Sequence, residues 1–384
     1  MIQKPVEKPD CPHFSSGPCA KRPGWTADVL DTTVLGRSHR SALGRSRLKL
    51  AIDLMKEVLQ VPNTYRLGIM PGSDTGAVEA ALWSLLGARG VDMFSWESFG
   101  KGWVTDVVKQ LKLTDVRVFD APYGQLPDLT QADKDRDIVF TWNGTTSGVC
   151  VPDGNWIAAD RTGLTICDAT SAAFAMDLPW DKLDVVTFSW QKALGGEGAH
   201  GVLILSPRAV ERLESYTPSW PMPKLFRMTA NGKLNEGIFI GDTINTPSMM
   251  CVEDVIDALN WAKSVGGLKG MIARSKQNFQ VLQDFVSKSD WAAFLAQEPA
   301  YRSNTSVCLS IKADWFQKKT AEEQKEIIKK MVKLLGDEGV AFDCNAYKDA
   351  PAGLRFWCGT TVETDDIRKL CPWLDWAYDR IKEK

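Results

Sequence analysis

Lys192 is the residue whose position first suggests chemistry. It follows a short apolar run and precedes a glycine-rich turn in the segment Thr187 to His200, TFSWQKALGGEGAH. An ammonium group is costly to bury, so a lysine at the end of a buried strand is usually paired or chemically occupied. Its amine, once partly deprotonated, can condense with an aldehyde to form a Schiff base. The alternative is a lysine whose head group reaches the surface at the strand end.

Asp168 ends a second apolar run, in the segment Gly163 to Ala172, GLTICDATSA. A lysine and a carboxylate at the ends of two neighbouring strands fit a site for pyridoxal phosphate. In that chemistry the carboxylate pairs with the pyridinium nitrogen and the lysine holds the aldehyde carbon. The two residues together therefore favour a covalently held cofactor over a surface lysine.

A strand, a loop of small residues and a helix follow one another between Tyr65 and Leu86, and the loop at 71–77 reads PGSDTGA. Backbone N–H groups at a helix N-terminus bind anions, so this arrangement predicts a grip for a phosphate group. The loop has neither the Gly-Lys-Ser/Thr of a P-loop nor the glycine spacing of a dinucleotide fingerprint. A Rossmann dehydrogenase is therefore disfavoured.

Apolar runs that alternate with helical patterns predict an α/β fold with a mostly parallel sheet and helices on both faces. The predicted strands are Tyr65–Met70, Val91–Trp96, Val116–Phe119, Ile138–Trp142, Leu164–Cys167, Val185–Phe188 and Gly201–Leu205. Helices are predicted over Leu48–Leu59, over Val78–Leu86 and from about Met249 to Lys288. In such sheets ligands bind at the carboxyl ends of the strands, which is where the two candidate residues fall.

The C-terminal part of the chain predicts a smaller α+β domain of ordinary size. Its expected strands are Ser306–Ile311, Val340–Phe342 and Leu354–Cys358, and its expected helices cover 319–335 and 363–382. A chain of 384 residues exceeds the usual limit of one hydrophobic core. We therefore expect an N-terminal arm (1–13), a large cofactor-binding domain (14–265) and a small C-terminal domain (266–384).

The composition excludes several classes of protein. A net charge of −2 argues against nucleic acid as a partner, and no apolar run is long enough to span a membrane. The polar N-terminus MIQKPVEKPD lacks the apolar core of a signal peptide, so a cytoplasmic location is expected. The nine cysteines and three histidines show no metal-ligand spacing, so no metal site is predicted.

Several other positions leave two interpretations open. Residues 36–49 concentrate positive charge, either as a solvated helix face or as a site for an anion. Arg355 interrupts an apolar strand, where it either faces the surface or clamps a substrate carboxylate. Thr246 either caps a helix or holds a phosphate group. Phe99 either packs in the core or covers a bound ring. The hydroxyls of NGTTSG at 143–148 either form a turn or bond a ring substituent.

Taken together, these motifs resemble the phosphoserine aminotransferase family, a class V group of fold-type I pyridoxal phosphate enzymes. The segments that carry the resemblance are FSSGP (14–18), GRSHR (36–40), PGSDTGA (71–77), NGTTSG (143–148), CDATSA (167–172), SWQKALGG (189–196), NTPS (245–248) and LRFWCG (354–359). They cover almost the whole chain, so the resemblance implies a fold-type I architecture throughout.

The resemblance implies roles for residues around the cofactor ring. Lys192 would form the Schiff base and shuttle the substrate proton, and Asp168 would pair with the pyridine nitrogen. Thr145 would bond the ring hydroxyl. Phe99 is the nearest match to the aromatic residue that stacks on the ring, which is a tryptophan in the best-known bacterial branch.

The same resemblance implies residues that hold the cofactor phosphate. The backbone groups of Ser73 and Asp74 and the side chain of Gln191 would bind it from one subunit. Asn245 and Thr246 would reach it from the partner subunit, so a homodimer with sites at the subunit interface is implied.

The implied reaction exchanges the amino group between L-glutamate and the keto acid 3-phosphohydroxypyruvate, with 4-phosphohydroxy-L-threonine, toward vitamin B6, as a related substrate. Arg355 would clamp the substrate α-carboxylate, while His39 and Arg40 would recognise the substrate phosphate. The alternatives are an aminotransferase for unphosphorylated substrates, such as alanine–glyoxylate or serine–pyruvate exchange, and a non-catalytic anion-binding protein of the same fold.

The chain departs from the bacterial pattern at two cationic positions. Asp74 stands where that branch has an arginine, and a phosphate-binding histidine is replaced near Tyr347 and Lys348. Arg37, Arg45 or Lys348 are the candidates to replace the lost positive charge.

Overall fold

Seven strands with nearly continuous apolar sequences form the central sheet of the computed structural model, which describes residues 2–382. Met1 and residues 383–384, at the outer ends of the predicted arm and small domain, lie outside the described residues. The strands of the described chain are β1 (Arg66–Pro71), β2 (Val91–Ser95), β3 (Val116–Asp120), β4 (Asp137–Thr141), β5 (Asn143–Gly144), β6 (Val149–Cys150), β7 (Thr165–Asp168), β8 (Val185–Ser189), β9 (His200–Leu205), β10 (Thr229–Ala230), β11 (Lys233–Leu234), β12 (Ala292–Phe294), β13 (Ser306–Ile311) and β14 (Leu354–Trp357).

The order of the strands in the central sheet is β1-β9-β8-β7-β4-β2-β3. β9 runs antiparallel to both of its neighbours, and the remaining pairs are parallel. In the register of the sheet Asp168 lies between Thr141 on β4 and Thr187 on β8. The carboxyl ends of these three strands therefore meet at one edge.

Helices surround this sheet and a second, smaller one. The α-helices of the described chain are α1 (Ala42–Leu59), α2 (Ser73–Leu85), α3 (Ser98–Thr105), α4 (Pro207–Ser215), α5 (Met249–Ser264), α6 (Gly267–Lys288), α7 (Asp314–Gln317), α8 (Ala321–Asp337) and α9 (Thr364–Ile381). Single turns of 3-10 helix cover Ala27–Val29, Thr32–Val34, Leu129–Gln131, Trp180–Lys182, Lys224–Phe226, Glu236–Ile240 and Pro299–Tyr301, and a π-helical turn, Asp106–Gln110, extends α3.

The central sheet buries both of its faces because its residues alternate between two hydrophobic cores. Phe140 and Phe188 point into the core that α1 and α5 cover. Val139 is one position before Phe140 on β4, and Val185 is three positions before Phe188 on β8. Both valines therefore lie on the opposite face and point into the core that α2 and α4 cover. The predicted sheet, mostly parallel with helices on both faces, is confirmed.

The C-terminal part contains the antiparallel sheet β12-β13-β14 with α6, α8 and α9 beside it. The N-terminal segment has no helix or strand among residues 2–12 but is fastened to this part. The backbone N–H groups of Ile2 and Asp10 donate to Asp379 and Asp366, both at distances below 3 Å (2.8 Å and 2.7 Å). The expected domain boundary at 265 falls between α5 and α6 and stays a prediction. No helix of the described chain is long and apolar enough to cross a membrane.

Four expectations differ from the structure. α1 begins at Ala42 rather than at Leu48, so it includes part of the basic segment 36–49. Val340–Phe342 is not a strand, since only Phe342 forms an isolated bridge, with His13. α2 begins at Ser73 rather than at Val78, because the small residues of 73–77 are compatible with a helix once Gly72 turns the chain at φ 84°. The cap of α5 is Ser248, whose side chain accepts from the N–H of Cys251, so Thr246 does not have the expected capping role.

Asp184 anchors the start of β8, the strand that leads to Lys192. This buried carboxylate accepts hydrogen bonds from Thr165 N (3.0 Å), Ser206 Oγ (3.0 Å), Arg208 Nη1 (2.9 Å) and Arg161 Nε (3.2 Å). A single side chain thus ties three strands and a helix together at the amino end of β8.

Replacing Asp184 by Ala is expected to lower the free energy of unfolding by about 3–5 kcal/mol, because two partly buried arginines lose their counter-charge. The shift in the urea midpoint, followed by circular dichroism, measures this. The matched control is Asp181→Ala, an exposed position three residues earlier that should change stability by less than about 0.5 kcal/mol. Equal stability of the two variants would contradict the anchoring role.

Candidate active site

A cavity of about 250 Å³ opens at the carboxyl ends of β4, β7 and β8. Seven of the candidate residues line it, namely Lys192, Asp168, Thr145, Gln191, Ser73, Asp74 and Phe99. The other lining residues are Gly17, Pro18, Thr75, Trp103, Thr141, Asn143, Thr170, Ser189 and Gly198. The fold therefore brings together residues that are as far apart in the chain as Ser73 and Lys192.

The amine of Lys192 is buried in the turn that follows β8, where the side chain is 8% exposed. Its Nζ donates to the backbone oxygen of Ser16. Burial lowers the pKa of Lys192, and the positive charge of Arg355 acts in the same direction, whereas Cys19 and Asp168 oppose it. A lowered pKa increases the fraction of neutral amine at neutral pH, which is the nucleophilic and basic form.

Asp168 is held by two donors at the end of β7. Its Oδ2 accepts from the indole Nε1 of Trp103 at 3.0 Å, and its Oδ1 accepts from the backbone N of Thr170 at 2.9 Å. Sequence reasoning missed Trp103. The available signal was its place on α3 four residues after Phe99, since residues at that spacing share one face of a helix.

Phe99 lies at the mouth of the cavity and is 38% exposed. Its ring packs on that of Tyr347 with centroids 5.5 Å apart. The guanidinium of Arg355 lies 5.8 Å from the centroid of the same Tyr347 ring. An aromatic pair thus connects α3 with the small sheet, and Arg355 stands next to that pair.

The loop before α2 is shaped for an anion. Gly72 and Ser73 both have positive φ, 84° and 58°, and both of their N–H groups donate to the carbonyl of Ala199. The Ser73 backbone donor is thus engaged, and Ser73 offers its Oγ, to which Gln191 Nε2 donates at 3.1 Å. The N–H groups of Asp74 and Thr75 lie in the first helical turn, where no intrahelical carbonyl reaches them.

Thr145 is buried and belongs to a network of hydroxyl and amide groups. Its Oγ1 donates to Ser171 Oγ at 2.8 Å, and Asn143 Nδ2 donates to the same oxygen at 2.8 Å. Ser306 Oγ in turn donates to the Thr145 carbonyl at 2.6 Å. The network fixes this side of the cavity, because each of these donors already has an acceptor.

Polar atoms without a partner concentrate at this cavity. Among the described residues that line it, the buried unpaired atoms are Asp74 Oδ1, Thr141 Oγ1, Asn143 Oδ1, Thr170 Oγ1, Ser189 Oγ and Gln191 Oε1. The Nε of Arg355, beside the cavity, is also buried and unpaired. Buried polar groups are normally hydrogen-bonded, so this cluster is suited to a polar ligand. Together with the buried amine of Lys192, it fits pyridoxal phosphate.

His39, Arg40, Asn245 and Thr246 do not line the cavity of their own chain. Arg40, Asn245 and Thr246 are exposed, and His39 is half-buried with its Nε2 unpaired in the described chain. Burial, and after it the charge of Arg40, lowers the pKa of His39. The ion pair Arg45–Asp242, at 2.9 Å, joins the two segments that carry these residues. We call residues 36–47 and 240–250 the α1–α5 patch.

The candidates for replacing lost positive charge have different surroundings. Arg45 is engaged with Asp242 at 2.9 Å. Lys348 lies with its Nζ 5.9 Å from the ring centroid of Tyr347. Arg37, like Arg40, is exposed on the α1–α5 patch, and no ion pair joins either of them to another described residue.

The chain is similar to known proteins along its whole length, although no protein-family model matches it. It is 57% identical over 379 residues to the phosphoserine aminotransferase of Methanosarcina barkeri, covering 99% of this chain and 100% of that protein. The phosphoserine aminotransferase of Methanosarcina mazei is 56% identical over the same shares. The solved structure of PLP-bound phosphoserine aminotransferase from Trichomonas vaginalis has a TM-score of 0.78 at 18% identity, covering 95% of this chain and 99% of that chain. The predicted fold class is thereby confirmed.

Replacing Gly17 by Ala is expected to slow the capture of pyridoxal phosphate by Lys192 about tenfold, because a methyl group there would fall on Lys192 Nζ. Borohydride reduction fixes the covalent product, and mass spectrometry locates and quantifies it. Gly102→Ala is the control, since nothing lies within 4 Å of a Cβ at that position on α3. An unchanged rate of capture in the Gly17→Ala variant would show that the space beside Gly17 does not control the reaction of the Lys192 amine with the aldehyde.

Proposed function

The chain belongs to the phosphoserine aminotransferase family, and we propose that it transfers the amino group of L-glutamate to 3-phosphohydroxypyruvate, giving 2-oxoglutarate and O-phospho-L-serine. The observation that carries the reaction is the identity of 57% to a phosphoserine aminotransferase over 99% of the chain. Pyridoxal 5'-phosphate is the cofactor of this family. The cavity at the carboxyl edge of the sheet is the place that fits it.

Different residues of the cavity would bind different parts of the cofactor. Lys192 would bind its aldehyde carbon, Asp168 its ring nitrogen and Thr145 its ring hydroxyl. When bound, the cofactor withdraws electrons from the substrate α-carbon and so makes the proton on that carbon acidic. Phe99 at the cavity mouth would cover one ring face.

The phosphate of the cofactor would lie at the N-terminus of α2. Positive partial charge of the helix dipole and the N–H groups of Asp74 and Thr75 favour an anion there. Gln191 and the Oγ of Ser73, already joined at 3.1 Å, would add side-chain contacts. The sequence predicted a phosphate site in this loop. The proposed contacts add the N–H of Thr75 and use the Oγ of Ser73 in place of its N–H.

Lys192 is the base that the reaction needs. When it is not bonded to the cofactor, the amine of Lys192 would accept the proton of the substrate α-carbon and later donate it again. A buried amine with a lowered pKa is neutral more often than an exposed lysine, and general bases work best when their pKa lies near the working pH.

Substrate recognition rests on cations outside the ring site. Arg355, next to Lys192 and with an unpaired Nε, would clamp the α-carboxylate that both substrates share. His39 and Arg40 would bind the phosphate that distinguishes phosphoserine from serine. Both substrates are small molecules that carry two or three negative charges, so these cations set the selectivity.

In a homodimer with shared sites, the α1–α5 patch of one chain would lie at the cavity of the other chain. Support comes from the position of Arg40, Asn245 and Thr246, which are exposed and outside their own cavity. The large apolar side chains of Ile240 and Met250 on the same patch are 54% and 51% exposed. Exposed apolar groups beside functional polar residues are typical of a protein interface.

Phosphoserine should convert the visible absorption band of the cofactor-loaded protein to that of its amine form, whereas serine and alanine should do so only weakly, because they lack the phosphate that Arg40 would bind. A spectrophotometric titration with each amino acid measures this. The Lys192→Ala variant is the control and should lose turnover altogether.

Equal conversion by serine, alanine and phosphoserine would move the substrate to the unphosphorylated class and contradict the proposal. Retained turnover in Lys192→Ala would contradict the assignment of the base.

Mixing two defective variants tests the shared site. Lys192→Ala lacks the base. Arg40→Ala should weaken the binding of phosphoserine, and so reduce activity at low phosphoserine concentration, while leaving the binding of unphosphorylated amino acids unchanged. If each cavity takes Arg40 from the other chain, refolding an equal mixture creates one intact site per mixed dimer. Activity at low phosphoserine should then recover to roughly a quarter of that of the natural protein. No recovery, with mixed dimers demonstrated by mass, would place Arg40 in its own cavity or outside both.

A further inference from the structure

We propose that Asp74 is a positioning residue that keeps its proton and donates a hydrogen bond to Asp168, so that the two carboxyl groups together carry one negative charge. The inference deepens the proposed function, because Asp168 is the residue that would face the ring nitrogen of the cofactor. It assigns the Asp74 side chain, whereas the sequence resemblance gave Asp74 only a backbone role.

The placement of Asp74 is the first observation. Its side chain is 5% exposed and lines the same cavity as Asp168. Its neighbours are Asp168, Thr170 and Thr187. Its Oδ1 is buried and has no hydrogen-bond partner in the described chain. A buried carboxylate without cations around it is very unfavourable, whereas a carboxylic acid beside a carboxylate has a ready acceptor.

The acceptor capacity of Asp168 is the second observation. Trp103 Nε1 and Thr170 N each donate to one of its oxygens, at 3.0 Å and 2.9 Å. An ionised carboxylate has about four acceptor positions, so two remain. The ring nitrogen would take one and the Asp74 hydroxyl the other. Asp168 would then be held from three sides by the protein, which fixes the direction of the bond to the ring.

The charge balance of the site points the same way. Asp74 is in the first turn of α2, whose N-terminus would hold the cofactor phosphate. A second anion there would repel both that phosphate and the charge of Asp168. A neutral Asp74 removes both repulsions and leaves the backbone N–H groups of the turn available.

The ionisation behaviour of Asp74 agrees with this geometry. Burial, and after it the charge of Asp168, raises the pKa of Asp74 well above its ordinary value, while the hydroxyls of Thr170 and Thr187 act in the opposite direction. The titratable groups that face this pair from neighbouring elements are Cys167 on β7, Glu97 before α3 and Lys192 after β8. Burial also raises the pKa of Cys167 and Glu97, so Lys192 is the cation among them.

Two substitutions of similar size test whether Asp74 acts as a hydrogen-bond donor or only fills space. Asp74→Asn keeps a donor without a charge, and Asp74→Leu removes the donor. We expect the dissociation constant for pyridoxal phosphate, titrated into cofactor-free protein at neutral pH, to rise about tenfold or more for Leu, because a hydrogen bond to a charged group is lost. For Asn it should stay within about threefold of the natural protein.

Infrared spectroscopy of the loaded protein gives a readout that a merely structural role would not move. The natural protein minus Asp74→Asn should show the carbonyl absorption of one protonated carboxyl group at neutral pH. Glu97 is present in both samples and cancels.

Three outcomes would overturn the inference, namely equal loss of affinity in Asn and Leu variants, no loss in either, or a carboxylate band in place of the acid band. If Asp74→Leu does not fold, the infrared difference with Asp74→Asn still decides. A natural protein that binds no pyridoxal phosphate would instead overturn the proposed function, and all variants would then fail alike.

Discussion

Four ionisable side chains are buried around one end of the central sheet, and the cost of keeping them there constrains the rest of the structure. Asp168, Asp74, Glu97 and Lys192 are each less than 9% exposed. Three carboxylates and one ammonium would leave a net negative charge in a medium of low dielectric constant, where an incoming phosphate would be repelled. Burial raises the pKa of Asp74 and of Glu97, and the proton proposed on Asp74 removes one of these negative charges. The site can therefore accept an anion without surrounding it with arginines.

Glu97 shows how one buried carboxyl group fixes two sides of the cavity. It caps α3 by accepting from Gly100 N at 2.8 Å, and it accepts from Thr146 Oγ1 at 2.7 Å. The helix that it caps carries Phe99 and Trp103, while Thr146 adjoins Thr145. This carboxyl group therefore couples α3, which would cover the cofactor ring, to the hydroxyl network of Thr145.

The sequence could predict the part of the site that strand ends determine. Lys192 and Asp168 follow apolar runs, and parallel strands bring their carboxyl ends together whatever the remaining contacts are. The helical spacing from Phe99 places Trp103 on the same face of α3, but its bond to Asp168 and the position of the Asp74 side chain could not be predicted, since both depend on how α3 and α2 pack against the sheet. The strand expected at Val340–Phe342 is absent for a similar reason, because three apolar residues identify burial but not a pairing partner.

The distribution of positive charge supports the proposal that the substrate site is shared between two chains. Lys192 is the single cation among the described residues that line the cavity, and it would be occupied by the cofactor. Arg355 adds one charge beside it, enough for a carboxylate but not for a phosphate as well. The exposed cations of the α1–α5 patch, Arg37 and Arg40, lie on a different surface of the same chain. For the proposed reaction, either a second chain would present this patch to the cavity or the segment of Lys348 would supply the cations. The patch also carries Ile240 and Met250, two exposed apolar side chains that a subunit contact would bury.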